Sequence, residues 1–393
     1  MMNRRQFLVS SSALLAGSSL SAAPKYDLVI KGGRVVDPSQ RLQRDFDIAV
    51  KGGKIAALDR DIPVSDATEV FDAKGKLVTP GLVDIHAHPR PGEVTPQQFL
   101  SHGVTTVVDG GSRGADGIQD MITVARNAPN RVRILINVSR LGNQPTGELL
   151  KFDTADAEAA RAAIRMHRDL IVGVKARLSR AYAGERDLDT VRRAHEITRP
   201  LGIPVMVHIG DTRSPLPDIL ALLREGDIVT HVYSPPPNGI LDANGRVLPQ
   251  VREARRRGIL FDVGNGRNGH ITWEVADRAL QQDFLPDTIS SDLNGAGLTD
   301  QVFDFPNVLS KFLMLGMSLD QVIARGTINS AKAIPPLKDF GTLRKGAVAD
   351  ISILELAGGT FEFVDNVNTR RTGRQKLFAR GVFVAGKRWS QPV

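Results

Sequence analysis

The sequence predicts an α/β fold, a (β/α)8 TIM barrel joined to a small β-sandwich formed by both chain termini. Three observations carry this. Over residues 81–340, eight short runs rich in Val and Ile alternate with stretches whose apolar residues recur at three- and four-residue spacing, the signatures of strands and amphipathic helices. Eight consecutive strand–helix units make up a parallel barrel; a doubly wound sheet is the alternative, but it does not ordinarily need so many units with chemistry at the strand ends. Both ends of the chain, 24–80 and 341–393, read instead as short strands punctuated by Gly, Asp and Pro, which suits one small all-β body built from two distant segments.

The elements come in this order. Residues 1–23 carry Arg4 and Arg5 ahead of Phe7 and Leu8, then a short apolar stretch, then small residues. This segment resembles a twin-arginine export signal. The apolar stretch from Phe7 to Leu20 is broken by serines and falls short of the roughly 18 residues of a membrane span, so a cleaved signal is expected rather than an anchor. Cleavage after S-A-A would leave Pro24 first, an unfavourable start; a cut just after Ser21 is the alternative. The resemblance implies the twin-arginine export machinery as a partner, export in the folded state, and the bacterial periplasm or the medium beyond as destination, with no stable membrane span after processing. YDLVIKGGRVVDPS, DFDIAVKGGKIAALD and TEVFDAKGKLVTPG follow, read as small antiparallel strands joined by tight turns. The eight barrel runs are VDIHAH, TTVVDG, RILINV, IVGVKARL, PVMVHI, IVTHVY, ILFDVG and TISSDL, with helices such as ADAEAARAAIRMHRDL and DTVRRAHEITRPLG between them. GTLRKGAVADISILEL, GTFEFVDN and KLFARGVFVAGKRW repeat the strand style at the C-terminus.

Composition removes several function classes. The chain has 393 residues, 41% hydrophobic and 24% charged, ordinary globular values that allow a large core and a smaller one. With no cysteine, disulfides, zinc-thiolate sites and cysteine nucleophiles are excluded, so a metal must be held by His, carboxylate or modified Lys. The net charge of +8 is scattered, aromatics are 5%, and the densest basic run, Arg255 to Arg257, closes an apparent helix. A nucleic-acid protein concentrates its charge with interleaved aromatics, so no nucleic-acid partner is expected. A positive field favours anionic substrates.

The chemistry is read from the strand ends, because a barrel opens all its strands onto one surface only at their C-terminal side. His86 and His88 end the first run, and residues i and i+2 of a strand point the same way. Alone, such a pair is weak evidence for a metal and fits other roles more readily. Lys175 sits inside the fourth run among aliphatics, where an ammonium is costly to bury; its stem can snorkel to the rim, or burial can favour a neutral amine able to take up carbon dioxide as a carbamate. His208 ends the fifth run, His231 lies near the end of the sixth and Asp292 near the end of the eighth. Four imidazoles, one potential carbamate and one carboxylate thus share one rim. His102, His167 and His195 read as structural or surface residues, whereas His270, in the Gly-rich loop after the seventh run, can contact substrate.

The order H-x-H, Lys, His, His, Asp on successive strands, led by VTPGLVDIHAH, resembles the binuclear amidohydrolases over nearly the whole exported chain. GVTTVVDGGS, VGVKARLS, PNGILDANGRVLP and FDVGNG are similar to a branch of predicted deacetylases, often labelled dihydroorotase or adenine deaminase, some of which act on acetyl esters of α-hydroxy carboxylates or on N-acyl compounds. The resemblance implies two divalent ions, zinc first with manganese or iron as alternatives. It assigns His86, His88 and Asp292 to one ion, His208 and His231 to the other, and carboxylated Lys175 as the bridge. It implies attack of a metal-bridging hydroxide on an ester or amide carbonyl, with catalytic roles for Asp292, as proton carrier, and for Lys175. Two positions depart from the branch: Asn265 stands where His is common, and Arg113 where a small residue is.

For a small, acylated, anionic substrate the candidate binding residues are Arg90, Arg113, Arg177, Arg267, His270 and Asn294, with Arg213 also in a loop; Arg177 shares the strand face of Lys175. The enzyme alternative is a cyclic amide hydrolase of the dihydroorotase or hydantoinase type, which has the same ligands; a single-metal aromatic-base deaminase lacks the bridging Lys. The alternative of another class is an inactive exported barrel that binds a metal or ligand. Assembly into a homo-oligomer is left open.

Overall fold

A computed structural model describes residues 23–145 and 147–390. The export-like segment lies outside the described residues except for Ala23. Among the described residues no helix is long and apolar enough to cross a membrane.

From the N-terminus, strands β1 (Tyr26–Asp37), β2 (Leu42–Lys51), β3 (Lys54–Asp59), β4 (Ala67–Asp72) and β5 (Leu77–Pro80) are followed by β6 (Leu82–Ala87), β7 (Val104–Gly110), β8 (Arg131–Asn137), β9 (Ile171–Arg177), β10 (Val205–His208), β11 (Ile228–Thr230) and β12 (Leu260–Asp262). The chain ends in β13 (Ile351–Val364), β14 (Arg370–Val384) and β15 (Lys387–Arg388). Strands β6 to β12 pair in sequence order, every pair parallel. The crossovers carry helices such as Ala157–Met166, Asp187–Thr198 and Pro249–Arg256, the last with Arg257 at its C-cap, where the basic run suits the helix dipole. The parallel sheet is curled. His86 Nδ1 on β6 lies 2.9 Å from Thr230 Oγ1 on β11, five positions along a sheet whose flat spacing would set them roughly 24 Å apart.

The eighth expected run is where the structure departs from the sequence reading. Thr288–Leu293 forms a single bridge, Thr288 with Asp262, and no named strand. Its backbone still reaches both edges of the sheet: Val263 and Asn265 donate to Thr288 and Ser290 carbonyls (3.1 and 3.0 Å), while Asp292 donates to His86 and His88 to Leu293 (2.6 and 2.9 Å). Two features interrupt the ladder. Asp292 has φ 48°, a left-handed conformation, and the hydroxyls of Ser290 and Ser291 bond the buried carboxylates Asp262 and Asp84 at 2.6 and 2.5 Å.

The two chain ends form one sheet in the order β15-β14-β13-β5-β1-β2-β3, with β4 also on β1. Leu28, Ile30, Ile48, Val50, Val78, Ile351, Ile353 and Phe383 make its core. Two details correct the sequence reading. The N-terminal strands are not all antiparallel, since β1 pairs in parallel with β4 and β5: the β1–β2 hairpin occupies one edge of β1, so the returning chain can take only the other. The expected separate runs ISILEL and GTFEFV are one strand of 14 residues, kept continuous by a register shift at Gly358 that takes up the irregularity between them.

The passage from one sheet to the other occurs at Gly81, whose N–H bonds the Asp350 carbonyl at 2.8 Å. A Cβ there would stand 2.2 Å from Thr105 Oγ1. Gly81→Ala is therefore expected to destabilise the fold by about 1–3 kcal/mol through overpacking, read as a lowered denaturation midpoint with an unchanged slope.

Candidate metal centre

The strand ends of the parallel sheet surround a cavity of about 500 Å³ lined by His86, His88, Lys175, His208, His231, Asp292 and His270 among others. All six predicted ligands thus line one cavity. His86 Nε2 lies 2.6 Å from Lys175 Nζ and 3.4 Å from Asp292 Oδ1, and His88 Nε2 lies 3.0 Å from the same Oδ1. The His208 and His231 rings are 4.2 Å apart between centroids. His231 and Asp292 both adopt positive φ, 68° and 48°, an uncommon strain for non-glycine residues that clusters at functional sites.

Neighbouring side chains fix each ring. His86 Nδ1 meets Thr230 Oγ1, which donates to Asp262 Oδ2 at 2.7 Å. His88 Nδ1 meets Ser112 Oγ at 2.8 Å, and that hydroxyl donates to Asp109 Oδ1 at 2.5 Å. His231 Nδ1 donates to the Gly264 carbonyl at 2.8 Å, which leaves the Nε2 lone pair free. Among the described residues, that Nε2 is buried with no hydrogen-bond partner, a costly state unless an electrophile completes it. Gly110 supplies the room: a Cβ there would lie 2.4 Å from His86 Cδ2 and 3.3 Å from His88 Cε1.

The electrostatics suit a cation. Burial, reinforced by Lys175, lowers His86 to about 4, and burial with His270 beside them takes His208 and His231 well below the usual histidine range. All three are then neutral imidazoles at neutral pH, ready as ligands. Burial alone would raise the Asp292 carboxyl, but His86, His270 and His88 together hold it well below the usual carboxylate range. Burial lowers Lys175 to about 8, and among the described residues it makes no ion pair. Two overlapping ligand groups result, His86 with His231 and Asp292, and His208 with His231 and His270. The donor set, all nitrogen and carboxylate oxygen, fits a divalent ion of the zinc type.

The candidate binding residues separate. Arg90, Arg177, Arg267, His270 and Asn294 line the cavity, whereas Arg113 does not and instead pairs with Asp120 at 3.2 Å. Arg213 pairs with Glu185 on the surface. His270 Nδ1 lies 3.1 Å from Asp292 Oδ2, and its ring stacks 3.7 Å from His231. Asn265, the departure from the branch pattern, is buried below the cavity, where its Oδ1 accepts from Lys311 Nζ at 2.9 Å. His195 is a packed residue bonded to Asp227 at 2.7 Å. Sequence reasoning did not single out Thr230, Asp262, Ser112, Asp109 or Lys311; strand-end position marks the first four, but only folding shows which ring each one holds.

The Amidohydrolase family model matches residues 77–388. The chain belongs to this family. As an amidohydrolase it is 30% identical over 379 residues to a deacetylase of Enterococcus faecalis, with 92% of this chain and 98% of the relative covered. Among solved structures it is similar to a crystal structure of an adenine deaminase (TM-score 0.86, 30% identity, 93% and 100% of the two chains) and to one of a dihydroorotase (TM-score 0.83, 25% identity, 92% and 97%). The chain is a hydrolase of a metal-dependent superfamily, and its His and Asp groups are the candidate ligands.

Thr230→Val, which cuts the link between His86 and Asp262, is expected to weaken metal binding by roughly 10–100-fold, measured by chelator competition. A second expectation concerns Lys311, which burial lowers to about 7 from 10.5. Between those values the unfolded chain binds the extra proton, so this residue's contribution makes stability rise with pH from about 7 to 10.5. Lys311→Met is expected to remove that rise, seen by comparing denaturation midpoints near both ends of the window.

Proposed function

We propose that the protein is a binuclear deacylase that cleaves an ester or amide bond of a small acylated carboxylate. The observation that carries this reading is the convergence of His86, His88, Lys175, His208, His231 and Asp292 on one cavity, in the chain order of the binuclear members that the sequence resembles. In this reading the curled sheet is a (β/α)8 barrel closed by Thr288–Leu293, and the terminal sheet folds over as the expected β-sandwich. The similarity to a deacetylase along nearly its whole length supports the acyl substrate.

His86, His88 and Asp292 would hold one ion and His208 and His231 the other, with Lys175 as a carbamate between them; its burial beside His86, without a carboxylate partner, supports that role. When bound, such ions polarise a carbonyl and lower the pKa of water. Asp292 carries the proton: Oδ1 faces His86 and His88, and Oδ2 faces His270 and the cavity, so the carboxylate can accept a proton from the attacking water and pass it to the leaving group. His270, beside it, keeps the carboxylate oriented. We further propose that residues 1–23 direct export of the folded chain to the periplasm.

Metal-loaded protein is expected to hold close to two equivalents and to hydrolyse O-acyl α-hydroxy acids or N-acyl amino acids. Turnover of cyclic imides alone would replace this reading with the cyclic amide hydrolase. Lys175→Ala is expected to lose at least about 100-fold in kcat, on the scale of removing one electrostatic element of a site, with partial return on adding a short carboxylic acid. Undiminished activity of that variant would remove Lys175 from the centre.

A further inference from the structure

Three arginines line the cavity, and their surroundings differ. Arg90 pairs with Glu93 at 2.7 Å and Arg267 with Asp300 at 2.9 Å, each time through a partly exposed carboxylate on a loop. Arg177 is built in. It ends β9, its Cα is the register partner of His208 on β10, and its side chain is only 13% exposed. Nη1 donates to Glu148 Oε2 at 2.7 Å and to the Gln144 carbonyl at 3.2 Å. The guanidinium lies 3.3 Å above the centroid of the Tyr182 ring, and that ring stands edge-on to His208 at 6.0 Å.

Glu148 explains why the arginine is held in one place. Its side chain is 0% exposed, and its Oε2 also accepts the Gln144 N–H at 2.9 Å. Burial raises the carboxyl, with Arg177 opposing that rise. Removal of one partner of such a buried pair leaves the other charge uncompensated, so the pair holds Arg177 where Glu148 meets it. One guanidinium edge is engaged by Glu148 and one face by Tyr182. Among the described residues, Nε and Nη2 make no hydrogen bond, and the side chain lines the cavity. A guanidinium clamped on one edge and one face presents a planar fork of donors matched to a carboxylate.

We propose that Arg177 is the anion-binding arm of this cavity and that Glu148 and Tyr182 are the positioning residues that aim it. The ligand class is a compact carboxylate placed on the His208 side of the centre. The proposal rests on the acyl-hydrolase reading for its substrate and on Arg177 alone for its binding step.

The test compares acetyl-lactate with acetyl-lactamide, identical but for the charge, on metal-loaded enzyme. The wild type is expected to favour the carboxylate in kcat/KM by on the order of 100-fold, as for a buried charge pair, with the difference mainly in KM. Arg177→Met is expected to bring that ratio below about fivefold, and Arg177→Lys to leave an intermediate value, since a point charge lacks the fork. Tyr182→Phe keeps the stack and should keep the ratio, whereas Tyr182→Ala should lower it. Glu148→Gln retains an acceptor and should preserve more of the ratio than Glu148→Ala. Equal losses on both substrates, with the ratio intact, would make the cluster a structural brace and overturn the proposal. If neither acyl compound is hydrolysed, the acyl-hydrolase reading fails, and calorimetric titration with lactate and lactamide decides the arm separately. Lactate affinity at least about tenfold weaker in Arg177→Met, with lactamide little changed, supports it; equal lactate affinity overturns it.

Discussion

Lys175 is buried 2.6 Å from His86, in a cavity lined by five imidazoles and the Asp292 carboxylate, and the rest of the structure is arranged around that concentration of buried polar groups. Isolated, each group would be expensive to bury. Together they line one volume as candidate metal ligands, and among the described residues His231 Nε2 has no hydrogen-bond partner there. The curl of the parallel sheet follows from the same need, since β6 and β11 must meet across it for His86 to reach Thr230.

Around the ligands lies a ring of small hydroxyl and acidic residues whose hydrogen bonds leave little freedom. Asp262 alone accepts from Thr230, Thr288 and Ser290 at 2.6–2.7 Å, tying β11, β12 and the closing segment to one point. Asp84 does the same for Ser291, and burial pushes its carboxyl up to about 7. Side-chain bonds here supplement the backbone bonds that Thr288–Leu293 makes to both edges of the sheet, and Asp292 turns into the cavity with φ 48°. The loop that carries His270 is held from below by the terminal sheet: Asn366, at the β13–β14 turn, bonds the Gly266 carbonyl and receives the Ile271 N–H. The second sheet therefore contributes to the site without lining it.

Much of this was legible because strand ends and periodicity are local. Seven of the parallel strands lie where the apolar runs put them, and H-x-H, Lys175, His208, His231 and Asp292 could be placed on one rim by strand-end position. TISSDL was misread as a regular strand because the left-handed turn at Asp292 breaks the extended backbone and the Ser290 and Ser291 hydroxyls accept backbone N–H groups of Gly264 and Leu293, neither of which propensity reveals. The N-terminal strands were misread as uniformly antiparallel because β4 and β5 pair with β1 only after the chain has crossed from β3 to the other edge of β1, and the direction in which it returns is a non-local matter. Arg113 looked like its fellow loop arginines until folding turned it to Asp120.

The sequence by itself determined the α/β class with its parallel strand order, the six groups that line one cavity and the absence of thiol chemistry, because residue type and strand alternation suffice for these. Only the tertiary structure decided which ring Thr230 and Ser112 hold, that His270 faces Asp292 while Asn265 lies beneath, and that Arg177 is clamped between Glu148 and Tyr182. Glu148 and Arg177 are 29 positions apart, and Thr230 and His86 are 144 apart. No local pattern encodes such pairings; they arise when the sheet curls and buried polar atoms must find partners.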